Sequence, residues 1–233
     1  MNTDKVRTLE QFLDAIKTDN DSVLYRGVTD VSHQLIPRIG RSKSLSPDSV
    51  LNLENAVFSE FKRRAPAFLT REPKGDWDWL FLCQHHGIPT RLLDWTLNPL
   101  IALYFATETN WETDCMVYSF LPDQWLTPST QDPFGFNEIC AVYPDLIHPR
   151  FVNQASVFTI QPKPWQQLGG PFVRKFTIAA EAIPSIKTWL AKFKIDRSFL
   201  FPGLDTLASQ INNNIFETAI WRTEAETKER GTS

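Results

Sequence analysis

The residues able to do chemistry in this chain are concentrated in two short runs. One is QHHGIPTRLLDWTLN, residues 84–98, where Gln84, His85, Thr90, Arg91, Asp94, Thr96 and Asn98 sit among apolar neighbours. The other is LYRGV, residues 24–28, an apolar stretch interrupted by Arg26. A guanidinium does not escape burial by losing its proton, so Arg26 needs a carboxylate, several carbonyls or an anionic ligand. Gly27 beside it lets another backbone or a ligand come close. Arginine forks match phosphate geometry, so Arg26, Arg91 and Arg150, together with Gln84, His85 and Asp94, outline a cleft for a phosphate-bearing ligand. Tyr25 and Trp95 offer rings on which a base could stack.

The same residues also admit a structural reading. Arg91 and Asp94 are three apart on one apolar strand, so they face opposite sides and are poor partners for each other. Leu92 and Leu93 between them make both faces of that strand apolar, as in a central strand. Each charge must then be satisfied from a distant segment: Arg26, Arg38 or Arg150 for Asp94, and Glu54 or Glu60 for Arg91. A buried polar network of this kind would fix strand register.

Other chemistries find little support. Adjacent helical positions such as His85 and His86 point about 100° apart and do not chelate one metal in the usual way. The chain has no HExxH, no paired Cys-His spacing, no GxGxxG, no GxxxxGK[ST] and no GxSxG, so no metal cofactor, common nucleotide fold or nucleophile elbow is expected. Its 3 cysteines are odd in number and far apart, and Cys83 and Cys115 read as inert core atoms.

The elements that must position these residues follow from apolar spacing and punctuation. Thr8 with Gln11 makes a capping box for a helix whose apolar face is Leu9, Phe12, Leu13 and Ile16. A short buried strand over Val23 to Tyr25 is expected to be interrupted by Arg26 and released by Gly27. Pro47 opens a long helix. A further helix is capped by Asp76 or Asp78 and closed by Gly87, with Pro89 beyond. The strand TRLLDW follows, and Asn98-Pro99 starts the helix NPLIALYFATET. Strands are expected at CMVYSFLP, ASVFTIQP and RKFTIAA, with a long irregular segment from Asp123 to Phe151 and helices closing the chain. The pattern predicts an α+β fold: one compact domain over residues 1–222, a small mixed sheet of five or so strands surrounded by helices, and a frayed tail over 223–233.

With 233 residues, 42% hydrophobic and 22% charged, the chain can bury its own core. A formal charge of -3 gives no global pull toward nucleic acid or anionic membrane, so an anion site must be built locally. The start lacks a signal-peptide layout and no apolar run approaches a membrane span, so a cytoplasmic protein without a membrane partner is expected.

LYRGV (24–28), LIPRIGR (35–41), ENAVFSEFKRRAPAF (54–68), WDWLFLCQHHGIPTRLLDWTLNPLIALYFA (77–106) and FLFPGLDTLA (199–208) together resemble the FRG domain. That family is named for an aromatic-Arg-Gly motif, seen here as Tyr25-Arg26-Gly27. The resemblance implies a bacterial or phage protein linked to phage defence and toxin-like modules. The strand order is also similar to that of mono-ADP-ribosyltransferases of the Arg-Ser-Glu type, which implies an ADP-ribosyltransferase-like fold with NAD as cofactor. In that analogy Arg26 holds the NAD diphosphate or ribose, Thr96 or Thr90 stands for the Ser/Thr, and Gln154 stands near the catalytic Glu. An amide lacks the negative charge that stabilises an oxocarbenium-like transition state, and Glu138 substitutes only if the fold brings it across. The reading is therefore an FRG-domain effector with Arg26, Asp94 and Gln154 as catalytic candidates. Tyr25, Gly27, Gln84, His85, Thr90, Arg91, Trp95, Thr96, Asn98 and Arg150 are the ligand-binding candidates. Its alternative is a non-catalytic module that recognises a nucleotide, a nucleic-acid end or a protein.

Overall fold

The computed structural model describes residues 5–109, 112–128, 132–144 and 149–217. In chain order the first half runs β1 (Lys5–Val6), α1 (Leu9–Ile16), β2 (Leu24–Val28), a 3-10 turn (Arg38–Gly40), α2 (Pro47–Arg64), a 3-10 turn (Ala65–Phe68), α3 (Asp76–His85), β3 (Leu92–Thr96) and α4 (Pro99–Thr107). The second half runs β4 (Cys115–Phe120), β5 (Trp125–Leu126), β6 (Cys140–Val142), α5 (Pro149–Asn153), β7 (Ser156–Ile160), β8 (Val173–Ile178), a 3-10 turn (Ala180–Ala182), α6 (Ile183–Lys192), α7 (Arg197–Leu200), α8 (Leu204–Ile211) and a π-helical turn over Asn212–Glu217. The 223–233 tail lies outside the described residues.

Local chemistry accounts for most helix ends. Thr8, Ser46, Asn98 and Asp196 each accept a hydrogen bond from a first-turn amide, and Pro47 and Pro99 follow two of these caps, where the missing N–H costs nothing. Gln11 completes its box by accepting from the Arg7 amide, one residue earlier than expected. The α3 cap is Gly75, not Asp76 or Asp78. Asp76 pairs with Lys62, and Asp78 reaches back to the Lys74 amide. At the other end Gly87 takes φ +75°, its amide donates to the Gln84 carbonyl, and the Ile88 amide donates to the Cys83 carbonyl. That is the Schellman arrangement, which favours glycine because a Cβ resists the left-handed region.

The eight strands form one mixed sheet in the order β1-β8-β4-β2-β3-β7-β6-β5, so the fold is α+β. The expectation of five or so strands falls short by β1, β5 and β6, which are two or three residues long and too short to register as a period. β5 and β6 also give structure to part of the segment expected to be irregular. The strand at Arg26 is longer than expected too: β2 runs through Arg26 and Gly27 to Val28. Its pairing with β4 covers all five residues, and that ladder holds the glycine in extended form.

The middle of the sheet is its weakest seam. β2 pairs with β4 from Leu24 to Val28, and β3 pairs with β7 from Leu92 to Thr96. Between them, β2 and β3 share a single registered pair, Tyr25 with Thr96. On one face of the sheet two cores stand on either side of this seam. One joins α1, α4 and α6 to β2, β4 and β8 through Phe12, Ile101, Ala102 and Ile186. The other joins α2 and α3 to β3, β6 and β7 through Phe58, Leu80, Phe81 and Phe158. On the opposite face one apolar layer crosses the seam, with Leu24 and Val28 of β2 packed with Leu93 and Trp95 of β3. The halves are held together there, and the other side stays open.

Candidate functional site

A cleft of about 1450 Å³ enters the seam, lined by residues of all three cores and by the 29–47 loop. Where β2 and β3 part, the Asp94 carbonyl lacks a registered β2 partner, and a side chain supplies the hydrogen bond. Arg26 Nη1 donates to Asp94 O at 2.6 Å and reaches Asp94 Oδ2 at 3.4 Å. Arginine carries five donors in a fork, and these contacts use one nitrogen of it.

The Asp94 carboxylate is fixed from the other side by a hydrogen-bond chain whose direction is forced. The Leu92 amide donates to Thr90 Oγ1 at 3.1 Å, and the Thr90 hydroxyl donates to Gln84 Oε1 at 2.6 Å. Gln84 must then turn its NH2 toward Asp94, where Nε2 lies 2.9 Å from each carboxylate oxygen. An ionised carboxylate only accepts, so Gln84 presents Nε2 to Asp94 and keeps Oε1 for the Thr90 hydroxyl.

Among the described lining residues Asp94 is the single carboxylate, facing Arg26, Arg38, Arg41, Lys43 and Arg150. Arg38 Nη1 donates to the Gly87 carbonyl at 2.6 Å and Arg41 Nε to the Ile36 carbonyl at 3.0 Å. Burial pulls the Arg41 guanidinium below its ordinary value, the Arg26 charge adds to this, and Asp94 opposes it. Burial likewise lowers Arg150, with Asp94 and then Glu108 pulling it back up. Arg150 lies over the Phe201 ring, 4.7 Å from its centroid. These charges share one field around one acid, and the surplus is positive.

The structure does not place all the expected residues on an open wall. Arg91 is sealed in the core: its side chain is 5% exposed and that of Glu54 2%. Glu54 accepts from the Arg91 amide, from Nε at both oxygens and from Nη2, at 2.6–3.1 Å. Glu54 is the partner, as one of the two acids proposed; ligand binding by Arg91 is ruled out by that burial. Tyr25 is buried with its hydroxyl on Asp19, and Trp95 is buried with Nε1 on Thr159 Oγ1 at 2.9 Å. Both residues line the cleft, although little of either is exposed. Gly27 admits a backbone: a Cβ there would lie 1.9 Å from the Ala102 carbonyl of α4.

Thr90 positions Gln84. Thr96 donates to the Gln154 carbonyl and accepts from the Asn98 amide, and Asn98 caps α4. Gln154 is buried, with Nε2 donating to the Leu200 carbonyl at 3.0 Å, which spends its amide on joining α5 to α7. Glu138 accepts from Gln124 and is not among the cleft residues. His85 lines the cleft, edge-on to Phe151 and His86. No group of three or more metal-binding side chains gathers among the described residues.

Sequence reasoning left out Arg41, Lys43 and Trp165, and weighed Arg38 only as a partner of Asp94. Its signal was the run PRIGRSK, three bases around a glycine. Gly40 is the reason that run can close on the site: a Cβ would lie 1.8 Å from the Pro164 carbonyl. Only a residue without one lets the Trp165 loop pack there.

Residues 21–115 match the family model of the FRG domain. The chain carries an FRG domain. That segment holds Arg26, Arg38, Arg41, Lys43, Gln84 and Asp94, whereas Arg150 and Trp165 complete the cleft from outside it. The FRG segment thus supplies both strands of the seam and the charged loop. No curated protein and no solved structure matches the chain. No helix among the described residues is long and apolar enough to cross a membrane.

Proposed function

We propose that this FRG protein is an effector whose seam cleft binds a phosphate-bearing nucleotide, with NAD as the ligand and cleavage or transfer at its glycosidic bond as the reaction. The observation that carries this reading is five cationic side chains lining one cleft with a single carboxylate among the described residues. In a partly desolvated cleft such a surplus favours a polyanion over a neutral metabolite. The cleft is large enough for a dinucleotide, since pockets for drug-sized ligands are about 300–1,000 Å³. In cleavage, water or an acceptor forms the new bond at the ribose anomeric carbon as the bond to nicotinamide breaks, and Asp94 is the cleft carboxylate able to face the positive charge that develops. The setting in phage defence and toxin-like modules, within a bacterial or phage-infected cytoplasm, belongs to this proposal through the FRG resemblance.

A second reading, a non-catalytic recognition module for a nucleotide, a nucleic-acid end or a protein, has its own support. Gln154, placed near the transferase glutamate by analogy, has its amide bound to Leu200. Incubation with nicotinamide-labelled NAD, with and without cell extract, separates the two. Release of nicotinamide that is lost in Arg26→Ala is the result expected for the enzyme. Saturable binding without release leaves the recognition module. Absence of any NAD- or ADP-dependent rise in melting temperature, which a native-state ligand must produce by mass action, defeats both as nucleotide readings.

A further inference from the structure

Asp94 is an odd residue to find in a cleft built for anions. A carboxylate there repels phosphate, so its presence needs a separate cause. Neutralising the arginines is a poor explanation. Glu54 shows what that job looks like in this fold, with four contacts at 2.6–3.1 Å from Arg91, three of them from the guanidinium. Asp94 instead keeps its two shortest carboxylate contacts for the neutral amide of Gln84 at 2.9 Å, while Arg26 comes no nearer than 3.4 Å to Oδ2 and spends its short bond on the backbone. Its side chain remains 55% exposed. An ionised carboxylate has about four acceptor sites, so both oxygens keep capacity beyond Gln84, and the Gln84 amide, itself held by Thr90, fixes their orientation.

We propose that Asp94 accepts hydrogen bonds from the vicinal hydroxyls of a ribose, held beside phosphates on the surrounding arginines, so that the cleft selects ribonucleotides over deoxyribonucleotides. Gln84 and Thr90 act as positioning residues that hold the carboxylate in this orientation. Hydroxyls are the donors a nucleotide can offer next to its phosphates, and a charged acceptor for them costs a deoxy analogue the bond. The inference rests on the nucleotide reading above, and its test separates the two.

The probes are ADP, 2′-deoxy-ADP, 3′-deoxy-ADP and pyrophosphate, titrated against the full chain by calorimetry. ADP is expected to bind about tenfold or more tightly than at least one deoxy analogue, as loss of a hydrogen bond to a charged group implies. Asp94→Asn should abolish that ratio and bind pyrophosphate more tightly than the wild type, because it removes a repelling charge. Thr90→Val should shrink the ratio and leave pyrophosphate binding unchanged, which a purely structural loss would not do. Equal binding of ADP and both deoxy analogues by the wild type overturns the ribose inference while the nucleotide reading stands. If none of the four probes binds, the nucleotide reading itself falls.

Discussion

Two arginine–carboxylate pairs lie three residues apart along the same strand region, and they behave in opposite ways. Arg91 and Glu54 are dry and saturated, closed over by α2 and by the Phe134 ring 4.9 Å from the guanidinium. Arg26 and Asp94 are loosely matched, with side chains 18% and 55% exposed, at the point where the sheet parts. The residue types are the same. What differs is whether a neighbouring element seals the pair, and that decides whether the charges staple the fold or remain available to a guest.

The largest effect should come from breaking the sealed pair. Glu54→Ala leaves a buried guanidinium without its acid and is expected to cost about 3–5 kcal/mol of stability, read by urea unfolding. A loss below about 1 kcal/mol would mean that the two pairs are alike after all. Next is Gly27→Ala, which drives a Cβ into the α4 backbone. Overpacking of this kind costs about 1–3 kcal/mol, and rigid helix backbone puts this site at the upper end.

Breaking the open pair should cost less stability and more function. Arg26→Ala removes a charge-assisted hydrogen bond to a backbone carbonyl, about 1.5–3 kcal/mol, yet should erase the nucleotide-dependent melting shift. A retained shift would place the ligand elsewhere.

The smallest effect sharpens the comparison through pH. Burial pushes Cys83, in the core with Phe58 and Leu80, up to about 12 from its ordinary 9.0. The folded chain therefore holds this proton more tightly than the unfolded one. The stability this provides is complete below about pH 9 and is lost as pH rises toward the folded value. The urea midpoint of the wild type should fall as pH rises from about 9 toward 12, and Cys83→Ala should flatten part of that fall, even though it starts from a lower midpoint because of the lost packing.

Short-range chemistry made much of the scaffold legible. Thr8, Asn98-Pro99 and the Gly87-Pro89 stop act through atoms within a turn or so of themselves, so residue type and spacing suffice to name them. Glu54 as a partner for Arg91 was also within reach, because a buried charge demands an opposite one and few acids were candidates. The burial of Tyr25 and Trp95 was not legible, since an aromatic beside a charged residue reads the same whether its ring faces a cleft or the core. The short strands β1, β5 and β6 escaped because two or three residues carry no period.

By itself the sequence determined the helix punctuation, the α+β class and the requirement that Arg26 and Asp94 be answered by something distant. Tertiary structure alone decided that β2 and β3 meet at one pair, that the Arg26 guanidinium takes the place of a ladder bond, and that Arg38, Arg41, Lys43 and Arg150 line one cleft with Asp94. Those outcomes depend on contacts between residues tens of positions apart, and the energy that selects them comes from packing three cores around a seam, which no local stretch of chain encodes.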